Sequence, residues 1–436
     1  MTTETPNVIP STPEFIPFDL VLSFAEVRAL QGVLQELSPF VGKRSTLPIL
    51  KCVMLVAVDS TTMEVHATNL EAYVIRTLKV TSLKEGTALC TPFSQLVALL
   101  KGGKKTDSVT MHADRSDAIT FSRDGIQSTC SGFDEGEYPL MPKWEKSGTF
   151  EQSLVVEAAA LQNVARRNRH ALAPEAFGRP TFTGMHVKSQ GDTNTVDFVT
   201  QDTYRLVVTN VAGNTDHPVN WLIPGSPLCD LFLMARGEVT ITQYEIPAQG
   251  RQTVPTQVFL LTWEGVTATI LGIPATFPNY RNILDTVDTG IADRGGLSAT
   301  LNRVALLKAV KGVETGYKAQ EQRNARKEDT AVTVILTFSE SQTVTVEARS
   351  EDKPVSVATL SVNRVSGVHQ PTRVNARFLI QALEAMSGES VRIDIAVNDP
   401  PQHQWETVQS FAVSPMRLID PAALETTYLI LPLRQR

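Results

Sequence analysis

The sequence predicts an α+β fold made of three tandem copies of one domain, each copy a pair of helices packed on an antiparallel sheet. Short apolar runs rich in β-branched residues recur along the chain, as half-buried strands do. Helical patterns interrupt these runs in pairs, and the second helix of each pair opens at Thr91, Ser226 or Asn375, about 140 residues apart. A repeat of that length is a domain rather than a solenoid turn, because it holds enough strands to bury a core of its own.

Composition narrows the class. With 42% hydrophobic and 20% charged residues the chain reads as globular, which excludes disordered and collagen-like proteins. Lys and Arg number 40 against 46 Asp and Glu, so the net charge of -6 excludes a globally basic nucleic-acid binder. There is no uncharged apolar run long enough to span a bilayer, and residues 1–20 lack the basic and apolar segments of a secretion signal. A cytoplasmic protein without membrane partners is expected. Cys52, Cys90, Cys130 and Cys229 are far apart with no CxxC pair, the pattern of buried or half-buried thiols rather than of a zinc site or disulfide framework.

The elements follow in order. Residues 1–15, proline-rich and poor in apolar groups, are expected to form a disordered tail. In the first copy, residues 16–147, Ser23-Phe-Ala-Glu26 is a capping box, and Val27, Leu30, Val33, Leu34 and Leu37 follow at helical spacing. Strands are predicted over 52–58, 63–68 and 73–80. A second helix follows, with Thr91 as N-cap and Pro92 at its first position, ending at Gly102-Gly103. The second copy, residues 148–290, is predicted to hold a helix over 154–167, strands over 182–187, 195–200 and 205–210, and a helix from Ser226-Pro227 to Gly237. Strands over 239–244, 257–262 and 266–271 then lead to Phe277-Pro278, the counterpart of Tyr138-Pro139. The third copy, residues 291–436, has helices from Asn302 and from Asn375 to Met386; residues 314–329 read equally as helix or as charged loop.

Charge is distributed unevenly over this plan. Segments 90–105, 152–170 and 302–327 hold 13 basic and 3 acidic residues, so the three carry +10 and the remaining chain -16. In the third segment Lys308 and Lys311 share a helix face, with Val304, Leu307 and Val310 off it, so the lysines are expected to project from the core. Positive helices on an acidic body suit an extended polyanion, although each face alone is also what an ordinary solvated helix presents. Aromatic residues do not interleave these charges, so stacking of single-stranded bases is not expected.

Signatures of catalysis are missing from the sequence. Gly42-Lys-Arg-Ser45 and Gly103-Lys-Lys-Thr106 lack the spacing of a phosphate loop and read as turns. The seven histidines form no metal-binding pair, and there is no nucleophile elbow. Neither a cofactor nor a metal is expected, and a non-enzyme is the better reading.

Five segments in order carry a resemblance: Gly42-Lys-Arg-Ser-Thr-Leu-Pro-Ile-Leu50, Ala67-Thr-Asn-Leu-Glu71, Gln201-Asp-Thr-Tyr-Arg-Leu206, Phe277-Pro-Asn-Tyr-Arg281 and Tyr428-Leu-Ile-Leu-Pro-Leu-Arg434. Over residues 16–434 the chain resembles the bacterial DNA polymerase III β subunit, the sliding clamp. The resemblance implies a head-to-tail homodimer whose six domains close into a ring around double-stranded DNA. It implies as partners a clamp loader, the replicative polymerase and other clamp-binding-motif proteins, among them ligase, mismatch-repair proteins and translesion polymerases, all at the nucleoid.

By the same resemblance, the partner-peptide pocket would be formed by Phe182, Thr203, Tyr204, Arg205, Leu206, Pro278, Asn282, Ile283, Leu431, Pro432, Leu433 and Arg434. It would take a motif of the Gln-Leu-x-Leu-Phe type. Arg44 matches a basic DNA-contacting position of the family, and Lys101 is similarly placed after the second helix. Lys104, Lys105, Arg166, Arg167, Arg169, Lys308 and Lys311 complete the expected DNA-binding set. Where the family carries an aromatic pair near the DNA path, this chain has Pro180-Thr181. Two readings compete with a processivity clamp: a clamp-like paralogue serving as a peptide-binding scaffold or drug-resistant duplicate, and an enzyme with an unrecognised site.

Overall fold

The computed structural model describes residues 17–433 except 85–86, 103–107, 116, 142–148, 175–177, 191–192, 248–254, 293–294, 322–330, 351–352, 368–370, 397–414 and 424. The expected N-terminal tail, Lys104, Lys105 and Arg434 lie outside the described residues. Eight α-helices among the described residues pack on antiparallel sheets: α1 (Phe24–Leu37), α2 (Phe93–Leu100), α3 (Ala158–Asn168), α4 (Pro180–Thr183), α5 (Gly225–Met234), α6 (Arg281–Ala292), α7 (Arg303–Glu321) and α8 (Ala376–Ala385). None is long and apolar enough to cross a membrane.

The chain forms two compact units, residues 1–151 with 239–271, and residues 152–238 with 272–436. In the first, Phe18–Leu22 lies in a five-stranded sheet between Ser82–Leu83 and Val109–Arg115, followed by Ala118–Arg123 and Ile126–Ser131. Strict alternation puts Phe18, Leu20 and Leu22 in the core. Seven consecutive strands of a second, nine-stranded sheet run Glu238–Ile246, Thr256–Trp263, Val266–Leu271, Ala72–Lys79, Thr62–Thr68, Cys52–Asp59, Ala88–Pro92. Its register sets Arg76 opposite Val266 and Ala72 opposite Ile270. The second unit holds the sheet Asn220–Pro224, Gly184–Gln190, Thr193–Gln201, Arg205–Ala212, Thr426–Ile430, Met416–Ile419, Ser390–Ile395, Leu297–Asn302, Arg364–Ser366. A four-stranded sheet in the same unit runs Lys353–Ser361, Thr343–Ser350, Thr333–Ser339, Thr372–Asn375.

The helices pair α1 with α2, α3 with α5, and α7 with α8. One device recurs in all three pairs: a polar side chain of the first helix donates to carbonyls at the C-terminal end of the second, where helical partners run out. Gln31 Nε2 donates to Leu100 O at 2.5 Å, Gln162 Nε2 to Ala235 O at 3.0 Å, and Arg303 Nη1 to Leu383 O at 2.8 Å. Helix α1 has the expected capping box, and the five residues it buries are the five named from its spacing. Burying each of them contributes roughly 1.5–3 kcal/mol.

Local signals misplace several helix starts. Thr91 and Pro92 end a strand, paired with Val53 and Cys52, and α2 begins at Phe93. Tertiary pairing overrides the N-cap signal, and Pro92 keeps extended ψ at 122°. Likewise α5 begins at Gly225, so Ser226 and Pro227 fall inside its first turn. The predicted start of α3 at Leu154 belongs to the strand Thr149–Glu157, where Leu154 and Val156 are buried with period two and Leu154 faces Thr215. Helix α6 lies outside the paired helices that the sequence pattern predicts: Ile283, Leu284, Val287 and Ile291 form a short apolar stripe, of which Val287 is buried and the others are half-buried against the cluster around Leu206. In α7 the core residues are Leu306, Val310 and Val313, whereas Val304 is 53% exposed.

Candidate nucleic-acid interface and partner groove

The expected DNA contacts divide by burial. Arg44, in the turn after α1, and Lys101, at the C-cap of α2, are exposed, as are Arg166 on α3 and Lys308 on α7. Among the described residues Arg166 bonds to Asn163 and Gln162 of its own helix and to no acid. Lys311 is exposed but paired with Glu384 of α8 at 2.6 Å. An exposed pair of that kind holds its partner by less than about 1 kcal/mol, so a phosphate can compete for the ammonium. Arg169 is held by Asp230 of α5 at 2.8 Å.

Arg167 departs from expectation. It is 7% exposed, its Nη1 pairs with Glu425 and donates to Thr426 Oγ1 at 3.0 Å, and it ties α3 to the last strand of its sheet. It is a buried structural cation and not an exposed lining residue. The two arginines are adjacent, so a turn of 100° per residue points one outward and one inward.

The residues expected to form the partner groove gather around the second unit's large sheet, where Leu206 is opposite Leu429 and Arg205 opposite Ile430. Asp202 organises the preceding turn. Its Oδ1 accepts from the backbone N–H of Tyr204 and of Arg205, each at 2.8 Å, and its Oδ2 accepts from Arg205 Nε at 2.9 Å and Nη2 at 2.7 Å. Arg205 then reaches α8: Nη1 donates to Gln381 Oε1 at 2.6 Å, and the guanidinium carbon stands 4.2 Å from the Phe378 ring centre. Tyr204, 50% exposed, lies 6.0 Å from the same ring.

The C-terminal segment joins this corner by backbone bonds, Leu431 N to Tyr204 O at 2.8 Å and Leu433 N to Arg373 O at 2.7 Å. Leu431, Pro432 and Leu433 are half-buried. Leu206 belongs to an apolar cluster with Val199, Val208, Leu222, Phe277 and Leu429, against which Ile283 packs half-buried. The Phe277-Pro-Asn-Tyr-Arg281 segment is anchored below by buried Asp197, which accepts from Tyr280 Oη at 2.5 Å and pairs with Arg281. Burial and the Asp197 charge push the Tyr280 hydroxyl up to about 12, so it stays a donor. Pro278 and Asn282 are exposed at the start of α6, and Asn282 Oδ1 accepts from Asn279 Nδ2 at 2.9 Å. Thr203 is half-buried in the Asp202 turn. Phe182, on α4, is half-buried beside the Arg179 guanidinium.

Sequence reading missed Phe378 and Gln381. They are three residues apart on α8, off the face that buries Leu379, Ile380 and Leu383, and an aromatic beside that apolar stripe was the available signal. His170 stacks on Tyr428 at 5.9 Å, and burial together with the Arg205 charge pushes its imidazole down to about 3.

No protein-family model matches the chain, and no curated protein does. Solved structures do. A sliding clamp of Bacillus subtilis is 15% identical with a TM-score of 0.74, covering 97% of this chain and 100% of its own. A sliding clamp of Pseudomonas aeruginosa bound to griselimycin is 16% identical, with a TM-score of 0.74 and coverage of 96% and 100%. The DNA polymerase III β subunit of Thermotoga maritima is 15% identical, again with a TM-score of 0.74 and coverage of 96% and 100%. Matched end to end in this way, the chain has the fold of the bacterial DNA polymerase III β-subunit sliding clamps.

Proposed function

We propose that this protein is a DNA sliding clamp, a processivity factor whose two copies close head to tail into a ring around duplex DNA. The observation that carries the reading is the match in fold over 96–97% of the chain to proteins described as sliding clamps. The repeated helix pairs α1–α2, α3–α5 and α7–α8, with their recurring cap, support three clamp domains over 16–147, 148–290 and 291–436. Exposed Arg44, Lys101, Arg166 and Lys308 supply weak, sequence-independent attraction for phosphate, which suits a ring that slides. Arg167 is left out of this set.

Ring closure needs two free sheet edges of opposite kind. In the first unit Ile126–Ser131 ends its sheet, with Ile126 69% exposed; in the second, Lys353–Ser361 ends the four-stranded sheet, with Val357 52% exposed. Pairing of one edge with the other edge of a second copy joins two chains at two equivalent contacts. The corner formed by Tyr204, Arg205, Leu206, Ile283 and Leu431–Leu433 offers apolar surface with polar anchors, the composition of a groove for linear motifs. Through it the clamp holds the polymerase, and in turn ligase and repair proteins, at high effective concentration on DNA. The clamp loader opens the ring, the clamp itself catalyses nothing, and its place is the cytoplasm at the nucleoid.

The test is topological. After loading, the protein should stay on nicked circular DNA through gel filtration and leave when the circle is cut. Equal retention on both forms would refute the ring.

A further inference from the structure

Beside the turn that carries Arg44, a cavity of about 390 Å³ opens between the end of α1, the turn Pro48–Lys51 and α2, lined by Lys43, Lys51, Phe93, Ser94, Val97 and Lys101. The three lysines are exposed, and among the described residues none is paired with an acid. Lys43 Nζ stands 5.1 Å from the Phe93 ring centre and donates to Ser38 Oγ at 2.5 Å. Phe93 and Val97, half-buried on one side of α2, make the apolar wall, so the fold sets an aromatic ring among basic residues where the sequence pattern led to no such expectation. Three ammonium groups around one cavity repel one another unless an anion joins them. The wall calls for a flat apolar group attached to that anion.

We propose that this cavity binds a nucleotide unit, its base against Phe93 and Val97 and its phosphate among Lys43, Lys51 and Lys101. The volume suits a ligand of this size, and aromatic wall with cationic rim is the arrangement that takes single-stranded nucleic acid. The same chemistry comes from a free mononucleotide or from one residue of an unpaired strand. An acidic peptide satisfies the lysines but leaves the flat wall without a stacking partner. Duplex DNA buries its bases in the stack, so this site reads what the proposed ring does not.

The experiment uses the full-length protein without a loader. A fluorescent dT12 strand carrying one 5-bromodeoxyuridine is titrated by anisotropy, then irradiated and the crosslink mapped by mass spectrometry. The crosslink is expected on Phe93. Lys51→Glu, an exposed change that leaves the core untouched, and Phe93→Leu, which keeps an apolar side chain without the ring, should each weaken binding at least about fivefold. Competition by dTMP at low micromolar concentration assigns the site to free nucleotides; competition by unlabelled dT12 alone assigns it to single strands. A crosslink outside residues 43–51 and 92–101, unchanged affinity in both variants, or equal displacement by hexaglutamate overturns the proposal. Short linear strands are not retained topologically, so loss of clamp activity does not bear on this outcome.

Discussion

The guanidinium of Arg205 lies 4.2 Å from the ring centre of Phe378, held there by two hydrogen bonds to Asp202 and one to Gln381. The ring thus covers a cation already fixed by a carboxylate, which orders this corner of the fold. Asp202→Asn keeps the shape and removes the charge. It should lower stability by about 1–2 kcal/mol in thermal melts and weaken a Gln-Leu-x-Leu-Phe peptide several-fold by anisotropy. A variant that melts lower but binds the peptide unchanged would separate Arg205 from the groove.

Arg167 and Arg44 should behave oppositely. Arg167→Ala removes a buried cation and its bonds to Glu425 and Thr426, at a cost of about 1–2 kcal/mol, because Glu425 is 41% exposed and can rehydrate. Arg44→Ala combined with Lys101→Ala should leave the melting temperature unchanged and reduce retention on circular DNA. Differential scanning calorimetry and a retention assay on the same preparations distinguish the two roles.

The difference between those residues marks where sequence reading stops. Capping at Ser23, the apolar spacing of α1 and most strand centres depend on neighbours in the chain and were legible. The burial of Arg167 depends on Glu425, 258 residues away, and sequence alone treats it like Arg166. Thr91-Pro92 failed as a helix start for the same reason, since its pairing with Val53 and Cys52 is long-range. The segments expected to form the groove were proposed from motifs, while Phe378 and Gln381 belong to no motif and join that corner only when α8 meets Arg205.

His170 gives a pH signature. Its folded imidazole titrates near 3 and its unfolded one near 6.5, so below pH 6.5 the unfolded chain binds a proton that the folded chain refuses. Stability from this group is complete above 6.5 and falls as pH drops toward 3, with a limiting slope of about 1.4 kcal/mol per pH unit. Urea titrations between pH 7 and 4.5 should show a shallower loss for His170→Gln than for wild type. Identical slopes would mean that His170 is protonated in the folded state.

Thiol reactivity should rank by burial. Burial pushes the Cys229 thiol up to about 12, and the hydrogen bond with Cys52 together with burial pushes Cys90 up as well. Cys130 is half-buried, whereas Cys52, Cys90 and Cys229 are buried. Ellman's reagent should therefore modify Cys130 first in native protein and all four thiols in guanidinium. Fast native reaction at Cys229 would show that α5 opens.

Sedimentation tests the ring's closure. The native mass should be near twice 47.7 kDa at micromolar concentration, and Ile126→Glu with Val357→Glu should yield monomers with an unchanged far-UV spectrum. A monomeric wild type would remove the ring.

The pairing of Ala72–Lys79 with Val266–Leu271 bears on how the protein is made. A nascent chain leaves the ribosome N-terminus first, and the strand holding Arg76 must wait for Val266 through on the order of ten to forty seconds of translation. During that interval an unpaired edge stands open to other nascent chains on the same polysome. Expression level and temperature should therefore govern soluble yield more strongly than final stability does, and a chaperone that shields strand edges early should raise it.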